Sequence, residues 1–525
     1  MGSIKPLAAK LNSRLVVVSN RGSCTFVDSP QGIKAVPSVS GLVSAVEPVV
    51  SQEGGTWVAW GGRCGREGEF AGISVPMPEN GQKYVFQEVL LTPEEVTLYY
   101  EGFNNGCLWP LCHNFVEKSV FNEEEWQAYR KVNEKYAAVL FKCAGPRDLF
   151  WVHDYHLAIL PAYIRRQRPY SRVSLFWHIP FPPAEIFAVM PWAEEMLKGM
   201  LEAELIGFHS RKYVRNFLHS AEEIAGAEVD YSNETVYWSG RQLKAVAAPI
   251  GINWLDFEKL AGEGEVVRKA AQIRQEAGGE YLLLGVDRLD YTKGILERLR
   301  AIEWLLENYP QYRNRLTFLQ IAVPSRTGTA AYQRLKRRIE EAVGRINGKY
   351  TENYRVPVKY LFRSLSKPDL VAHYLAADMA LVTPLKDGLN LVAKEYVASN
   401  AGDVGVLLLS PFAGAAGQLK EALTANPYNP REMAARIVQG LEMPVAEKKR
   451  RLAALSKVIR EQDIHWWWRK VRQSWFGDAA RGKVAVSPEA VQEVLRHGPV
   501  AGLAGRDSGA TGSSCFMPPE IAAND

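Results

Sequence analysis

Two cationic side chains in the second half of the chain have the spacing of a phosphate-binding pair. Arg288 and Lys293 lie in VDRLDYTKG, directly after the apolar run YLLLGV (281–286). Within one strand-to-helix connection they can clamp a diphosphate, arginine as a planar fork and lysine as a point charge. A plain ion-pair network with Asp287 and Asp290 is the structural alternative. Because no Asp-x-Asp motif occurs in the chain, the pair favours a diphosphate site in which two cations replace a divalent metal.

A second stretch, LKDGLNLVAKEYVAS (385–399), combines carboxylates with a helix start. It follows the apolar run MALVTP, and we expect the helix to begin at Asp387 and Gly388. Asp387 would cap a first turn whose free N–H groups suit an anion. Glu395 lies eight residues on, about 12 Å along the axis and within about 80° of the same face. The spacing predicts a helix that holds a hexose and a phosphate at its start and a ribose diol two turns later. An ordinary capped helix with exposed carboxylates has the same pattern.

Histidine and aspartate side chains follow two apolar runs in the first half of the chain. LFWV runs into His153–Asp154–Tyr155–His156, and VSLFW runs into His178 and the prolines that end the strand. His178 can donate a hydrogen bond to a sugar hydroxyl, and Asp154 can accept one from an acceptor hydroxyl. A structural histidine and a loop cap are the alternatives. His153 and His156 flank Asp154, but no third zinc ligand is evident.

Two arginines and two aromatic residues complete the set of candidates. Arg21 and Arg326 follow strands in different halves of the chain, and Tyr100 and Trp109 lie in YYEGFNNGCLWP. Each arginine alone is typical of a surface position. Together they predict a grip on a sugar phosphate, with the arginines on the phosphate and the rings on the sugar.

These residues need a scaffold in which strand ends meet, and the apolar runs supply it. Strands are predicted at 15–19, 56–62, 149–152, 173–177, 205–210 and 244–252, and in a second series at 281–286, 316–323, 358–362, 379–383 and 404–410. Helical stretches separate most of them, which is typical of parallel sheets covered on both faces. Ligands of such sheets bind at the carboxyl ends of the strands. We therefore predict an α/β chain with two domains.

The connections between strands carry further predictions. In chain order they are a Gly/Pro/Ser-rich loop over 22–41, a helix from 42, a helix over 92–100, a loop over 103–110 that carries Trp109, helices from 446 to about 475, and a disordered tail over 488–525.

Composition argues against several classes of protein. Of 525 residues, 47% are hydrophobic and 23% are charged, which is ordinary for a globular chain of at least two domains. The net charge of +5 is mild for this length and fits an anionic small-molecule substrate without requiring one. The lack of any run of five like charges argues against a nucleic-acid tail. No apolar run approaches the length of a membrane span. The six cysteines form no Cys-x-x-Cys pair, which indicates free thiols in the cytoplasm rather than zinc or redox sites.

The chain resembles a known family in motifs spread between Arg14 and Trp475. They are RLVVVSNR, YYEGFNNGCLWP, WVHDYHL, HIPFPPAEIF, GFHS, VDRLDYTKG, GRINGKY, VTPLKDGLNLVAKEY and LLLSPFAGAA. Together they resemble the UDP-forming trehalose-6-phosphate synthases, retaining glycosyltransferases of the GT-B architecture. The resemblance implies two Rossmann-like domains whose parallel sheets face a central cleft. It places an acceptor domain at 14–252, a nucleotide-sugar domain at 253–460, and a C-terminal helix at 461–480 that can return to the first domain.

The same resemblance implies a role for each candidate residue. The residues implied in catalysis are Arg288, Lys293, His178 and Asp154. The residues implied in donor binding are Gly41, His178, Arg288, Lys293, Asp387, Asn390, Leu391 and Glu395. The residues implied in acceptor binding are Arg21, Trp60, Tyr100, Trp109, Asp154 and Arg326.

The reaction implied by the resemblance moves glucose from UDP-glucose to glucose 6-phosphate with retention, by a front-face route that needs no protein nucleophile, cofactor or metal. No phosphatase domain follows, so the product is expected to leave phosphorylated. Two alternatives stay open. One is a related glucosyltransferase with another acceptor or donor, such as glucosylglycerol-phosphate synthase with glycerol 3-phosphate and ADP-glucose. The other is a catalytically silent regulator that binds sugar phosphate. A homo-oligomer is possible, and neither nucleic acid nor a membrane is expected as a partner.

Overall fold

The structure is a computed structural model. It describes residues 13–29, 32–38, 41–78, 81–326, 329–402 and 404–477. The disordered tail predicted over 488–525 lies outside the described residues. In the described ranges no helix is long and apolar enough to cross a membrane.

The strands of the described residues form two large sheets and one hairpin. In chain order they are β1 (Leu15–Arg21), β2 (Cys24–Ser29), β3 (Gly32–Pro37), β4 (Thr56–Cys64), β5 (Ala71–Met77), β6 (Tyr84–Leu91), β7 (Leu149–His153), β8 (Arg172–Phe176), β9 (Leu205–Phe208), β10 (Glu228–Asp230), β11 (Thr235–Trp238), β12 (Arg241–Ala247), β13 (Tyr281–Arg288), β14 (Leu316–Val323), β15 (Val358–Phe362), β16 (Met379–Val382), β17 (Val406–Leu409) and β18 (Leu423–Thr424).

The first sheet has the order β10-β11-β12-β9-β8-β7-β1-β4-β6-β5. Its centre is parallel, and β1 pairs with β7 from Leu15 opposite Leu149 onward. Every residue of β1 and β7 is buried, as expected for strands covered on both faces. The edges are antiparallel, at β5 on one side and at β10 and β11 on the other.

The second sheet has the order β15-β14-β13-β16-β17-β18, and all of its pairs are parallel. β13 lies in the interior of this sheet and ends at Arg288. The predicted cation pair therefore lies at the carboxyl ends of the strands of this sheet, where ligands of α/β domains bind.

Helices cover both sheets. The α-helices of four residues or more are Gly41–Glu53, Trp109–Cys112, Glu123–Cys143, Leu160–Gln167, Ala184–Phe187, Ala193–Met200, Arg211–Glu223, Trp254–Gly262, Gly264–Ala277, Ile295–Asn308, Ala330–Tyr350, Lys367–Ala376, Leu391–Ser399, Pro430–Glu442, Val445–Glu461 and Ile464–Phe476.

The segment after Leu91 is helical over a longer stretch than predicted. Thr92 caps a short helical turn, Pro93–Glu95, through a reciprocal capping box with Glu95. A π-helix, Val96–Leu108, follows, and a short α-helix then begins at Trp109. The loop predicted over 103–110 is therefore wrong. Its turn-like Asn-Asn-Gly sequence is overridden because the flanking aromatic and apolar side chains are buried in the first-sheet core.

The segment after β1 corrects another prediction. In place of a continuous loop over 22–41, β2 and β3 pair as an antiparallel hairpin, with Cys24 opposite Pro37. The rings of Phe26 and Phe86 lie 5.3 Å apart, edge to face, and this contact holds the hairpin against the first sheet.

The last described helix, Ile464–Phe476, packs against the first sheet. Asp463 caps it by accepting a hydrogen bond of 2.7 Å from the N–H of Trp466. The rings of Trp467 and Trp468 lie 5.2 Å and 4.6 Å from that of Trp151 on β7. Nε1 of Trp468 donates to Glu53 at 2.8 Å. The chain therefore returns to the first sheet after it has built the second.

The chain passes from the first sheet to the second near Ile252 and returns near Asp463, and these two segments lie side by side. The N–H of Ile464 donates to the carbonyl of Ile252 at 3.3 Å. A Cβ atom on Gly251 would lie 2.1 Å from the backbone of Asp463, so only glycine permits this approach. The residue boundaries of the two domains stay predictions.

Candidate active site

The carboxyl ends of the two sheets meet across a shared boundary. The Tyr213 hydroxyl, from the first domain, donates to the carbonyl of Asp387 at 3.1 Å. A Cβ on Gly388 would lie 2.4 Å from the carbonyl oxygen of His178. The residues predicted on the two halves of the chain are therefore brought to one place by backbone contact.

Lys293 forms its ion pair with Asp387, not with the nearer aspartates in sequence. Lys293 Nζ lies 2.7 Å from Asp387 Oδ2, and both side chains are largely buried. Burial would raise the pKa of Asp387, but the charge and hydrogen bond of Lys293 hold it below its usual value. Arg288 ends β13 and lies over the ring of Trp109, 5.2 Å from its centroid. The alternative network with Asp287 and Asp290 is therefore not the one formed by Lys293.

A buried arginine that the sequence analysis did not select supports this pair. Arg298 donates to Asp287 at 2.7 Å, to Thr383 at 3.0 Å and to the carbonyl of Lys293 at 3.3 Å. Arg298 is thus the ion-pair partner of Asp287, and it also holds the backbone at Lys293 in place. A signal was present in the sequence, because Arg298 lies on the same helix face as the buried Ile295 and Ile302.

The helix predicted from Asp387 begins later. It spans Leu391–Ser399, and its cap is Asn390, whose side chain accepts from the N–H of Ala393. The prediction that Asp387 caps the helix is wrong, because Asp387 lies in the preceding loop. There it accepts from Lys293 and from Asn390 Nδ2 at 3.1 Å. The predicted axial spacing between Asp387 and Glu395 therefore does not apply.

Glu395 lies on that helix as a half-buried carboxylate. The hydroxyl of the buried Tyr374 donates to Glu395 Oε2 at 2.9 Å. Burial raises the pKa of Glu395, and the hydrogen bond from Tyr374 opposes the shift. One carboxylate oxygen is thus positioned by the protein. Tyr374 was not predicted, and no pattern in the sequence points to it.

The predicted acceptor residues of the first domain form one cluster. The guanidinium of Arg21, at the end of β1, lies 3.8 Å from the ring centroid of Trp60 and 5.6 Å from that of Tyr100. Tyr100 stacks at 6.1 Å on His156. A buried arginine is thereby presented on an aromatic wall, which suits the binding of an anion attached to a sugar ring.

Trp109 connects this cluster to the second domain. The guanidinium of Arg326 lies 4.4 Å from the centroid of Trp109. Arg326 Nη1 also donates to the hydroxyl of Tyr332 at 2.5 Å and contacts Asp290 at 3.3 Å. Tyr332, a residue the sequence analysis missed, donates in turn to Asp290. Arg288 and Arg326 therefore converge on one indole from the same domain.

Three predicted residues hold backbone conformations with positive φ. The φ angles are 72° at Asp154, 50° at Arg326 and 79° at Asn390. Non-glycine residues adopt such angles at a cost, and they often do so at functional sites. At Asp154 the cost is offset by hydrogen bonds, because Oδ1 accepts from the N–H groups of Tyr155 at 2.9 Å and His178 at 3.1 Å.

Gly41, the last of the predicted residues, lies beside the start of helix Leu391–Ser399. A Cβ on Gly41 would lie 3.0 Å from the side chain of Leu391, so the start of helix Gly41–Glu53 touches the second domain. His113, which the sequence analysis missed, is buried 4.2 Å from the ring of Trp109, and burial lowers its pKa to about 4. In the described part of the chain no three histidine, cysteine or acidic side chains are grouped to hold a metal ion.

Lys394 is a buried base between the domains and gives a testable dependence on pH. Its Nζ donates to the carbonyl of Ile250 at 2.5 Å, and burial lowers its pKa to about 7. In the unfolded chain the pKa is about 10.4. Between these values only the unfolded chain keeps the proton, so folding stability rises with pH. Relative to Lys394→Met, the wild type should gain about 1 kcal/mol in free energy of unfolding per pH unit between about pH 7.5 and 9.5. Denaturant unfolding at several pH values measures this difference, and parallel curves for the two proteins would contradict it.

Comparison with known proteins agrees with the fold and the motifs. A sequence profile of glycosyltransferase family 20 matches residues 13–475. The bifunctional trehalose-6-phosphate synthase/phosphatase of Thermoproteus tenax is 41% identical over 465 residues, which are 86% of this chain. The chain spans 62% of the length of that relative.

Two solved structures share the whole architecture. The UDP-forming α,α-trehalose-phosphate synthase of Burkholderia xenovorans, in complex with glucose 6-phosphate, aligns with a TM-score of 0.81 and 32% identity, over 88% of this chain and 100% of that one. The trehalose-6-phosphate protein of E. coli, bound to UDP-2-fluoroglucose, aligns with a TM-score of 0.80 and 34% identity, over 88% and 99%.

These matches confirm the predicted fold class, two α/β domains of the GT-B type. They also confirm the resemblance on which the family prediction rested, since the matched region contains every quoted motif. The chain belongs to glycosyltransferase family 20.

Proposed function

We propose that this chain is a retaining glucosyltransferase that moves glucose from UDP-glucose to glucose 6-phosphate, giving α,α-trehalose 6-phosphate and UDP. The observation that carries the proposal is that the guanidinium groups of Arg288 and Arg326 both lie over the ring of Trp109. Arg288 lies 5.2 Å and Arg326 lies 4.4 Å from its ring. The proposal is supported by the ligands named for the two solved structures, glucose 6-phosphate in one and a UDP-glucose analogue in the other.

On the donor side, Arg288 and Lys293 hold the diphosphate and Glu395 binds the ribose diol. Asp387 keeps its charge, because Lys293 lowers its pKa, and it therefore accepts hydrogen bonds from glucose hydroxyls. Backbone N–H groups at Asn390 and Leu391 add donors at the start of the helix. His178 donates to the glucose, and Gly41 belongs to the segment that closes over both ligands.

On the acceptor side, Arg21 and Arg326 bind the phosphate of glucose 6-phosphate from different domains. Trp60, Tyr100 and Trp109 line the sugar, and Asp154 accepts from its hydroxyls. Because the phosphate is held by arginines of both domains, acceptor binding favours closure of the cleft.

The transfer needs no covalent intermediate with the protein. The bond between glucose C1 and the diphosphate oxygen breaks, and its electron pair leaves with UDP. The anomeric hydroxyl oxygen of the acceptor bonds to C1 on the same face, and its proton passes to the departing phosphate oxygen. Arg288 and Lys293 stabilise the charge that develops on UDP.

A coupled UDP-release assay across donors and acceptors tests the proposal. UDP-glucose with glucose 6-phosphate should release UDP, and glucose without its phosphate should react about 10²-fold more slowly, because its contacts with Arg21 and Arg326 are lost. Faster release with glycerol 3-phosphate or ADP-glucose would favour the related transferase. Binding of sugar phosphate without any release would favour the silent regulator.

Two further points stay predictions. They are the location of the protein in the cytoplasm and its assembly as a homo-oligomer.

A further inference from the structure

Three histidines stand in a row at the carboxyl ends of neighbouring strands. His153 ends β7, His178 follows β8, and His209 follows β9. The rings of His153 and His178 are 5.3 Å apart, and those of His178 and His209 are 5.2 Å apart. Of the three, only His178 has a proposed role toward a substrate.

The surroundings of His153 determine where its proton lies. Its Nδ1 lies 3.0 Å from Nε2 of His178. Its own Nε2 is buried and has no hydrogen-bond partner among the described residues. A neutral imidazole carries one N–H, and an N–H buried without an acceptor is more costly than a bare lone pair. The proton of His153 therefore lies on Nδ1 and is donated to His178.

We infer that His153 is a positioning residue that fixes His178 as its Nδ1–H tautomer, so that a neutral N–H of His178 meets the donor glucose. Nε2 of His178 is the acceptor of the bond from His153, which leaves Nδ1 to carry the proton. His178 is half-buried beside Gly388 at the domain boundary. The substrate contact of His178 rests on the proposed function.

The groups that face His178 all disfavour its cation. A second proton, on Nε2, would point at the N–H of His153. Burial lowers the pKa of His178 far below its usual value, and His209 lowers it further. Behind His209 lies Lys394, whose charge lowers the pKa of His209 after burial has done so. The carboxylate of Asp154 accepts from the backbone N–H of His178 and not from its ring.

A neutral, tautomer-fixed imidazole suits the contact with an uncharged sugar. A hydroxyl of glucose can accept from Nδ1–H at any pH at which His178 stays neutral. An imidazolium in the same place would add a positive charge near the glucose, whose bond to UDP must break to leave a cationic sugar. By keeping His178 neutral, His153 therefore keeps a positive charge away from the glucose.

Full-length protein labelled with ¹⁵N-histidine tests the inference. Two-bond ¹H–¹⁵N spectra distinguish the two tautomers, and a His178→Gln sample assigns the signals. In the wild type the proton of His178 should lie on Nδ1 throughout the range from about pH 6 to 8. In His153→Phe we expect both tautomers of the neutral ring, because the hydrogen bond that selects one of them is lost.

The same variants are assayed for UDP release. In His153→Phe the KM for UDP-glucose should rise about 10-fold, with a smaller change in kcat, because part of the neutral His178 then presents a lone pair instead of an N–H to the glucose. In His153→Asn the amide N–H₂ occupies the place of Nδ1, so the wild-type tautomer and pH profile should be kept. Trp151→Phe loosens packing on the His153 ring, 4.3 Å away, and should lower the melting temperature without changing the tautomer of His178.

Three results would overturn the inference. They are a wild-type His178 protonated on Nε2, a tautomer of His178 that does not change in His153→Phe, and a change in Trp151→Phe as large as that in His153→Phe. If the wild type releases no UDP with any donor and acceptor, the proposed function fails, but the spectra still decide the part played by His153.

Discussion

Replacing Lys293 by alanine should lower kcat for UDP release by about 10²-fold or more, the scale observed when one preorganised charge-stabilising donor is removed. Negative charge on the UDP oxygen grows as the glycosidic bond breaks, so a fixed cation gains most in the transition state. Lys293 is fixed, because its ammonium is held 2.7 Å from Asp387 and its carbonyl is held by Arg298. UDP affinity, measured by calorimetry, should fall less than kcat does.

Arg288→Ala should have an effect of similar size, and Lys386→Ala serves as the control. Lys386 is a cation of the same loop as Asp387, but its ammonium lies over the ring of Tyr213, so its loss should change kcat by less than about threefold. EDTA should leave the wild type largely active. Near-normal kcat in either site variant, or loss of turnover with EDTA, would show that another group neutralises the diphosphate.

Gly388→Ala should reduce kcat/KM by at least about tenfold. An added Cβ would lie 2.4 Å from the carbonyl oxygen of His178 and 3.0 Å from Cα of Ile179. Both obstacles are backbone atoms, so the loop itself must move, at a cost of about 1–3 kcal/mol. The move would shift Asp387 against Lys293 and would separate His178 from the donor site.

Gly417→Ala is the matched control for this variant. A Cβ at Gly417 meets no described atom within 4 Å, so both kcat/KM and the melting temperature should stay near their wild-type values. Gly388→Ala enzyme with kcat/KM within about twofold of the wild type would mean that the contact between the loop and His178 is not needed for activity.

Five of the six strands of the second sheet were predictable because each is a mostly apolar run, and β14 and β15 have the predicted bounds. The sixth, β18, has only two residues, Leu423–Thr424, and was missed. The antiparallel edge strands of the first sheet were not predictable in this way. β10 has three residues, Glu228–Asp230, none of them fully buried, so no pattern marks it. The β2–β3 hairpin was hidden by its Gly/Pro/Ser content, since strand pairing depends on a partner that local composition does not reveal.

The types of the site residues could be predicted, but not their pairing. Asp287, Asp290 and Asp387 are equivalent partners for Lys293 when only the sequence is known. The structure decides among them, because β13 and β16 are neighbours and Arg298 already occupies Asp287. The helix start at Leu391 was missed for a related reason. Aspartate is a residue type that often caps helices, yet the carboxylate of Asp387 is held by Lys293 outside the helix.

The C-terminal helix also determines the order in which the chain can mature on the ribosome. Trp468 donates a hydrogen bond to Glu53, which lies 415 positions earlier in the sequence. Trp151 on β7 is covered when both Trp467 and Trp468 pack against it. The second domain is therefore synthesised in full before the first can bury its indole-bearing face. The half of the protein that leaves the ribosome first is therefore completed last, after the helix Ile464–Phe476 has been synthesised.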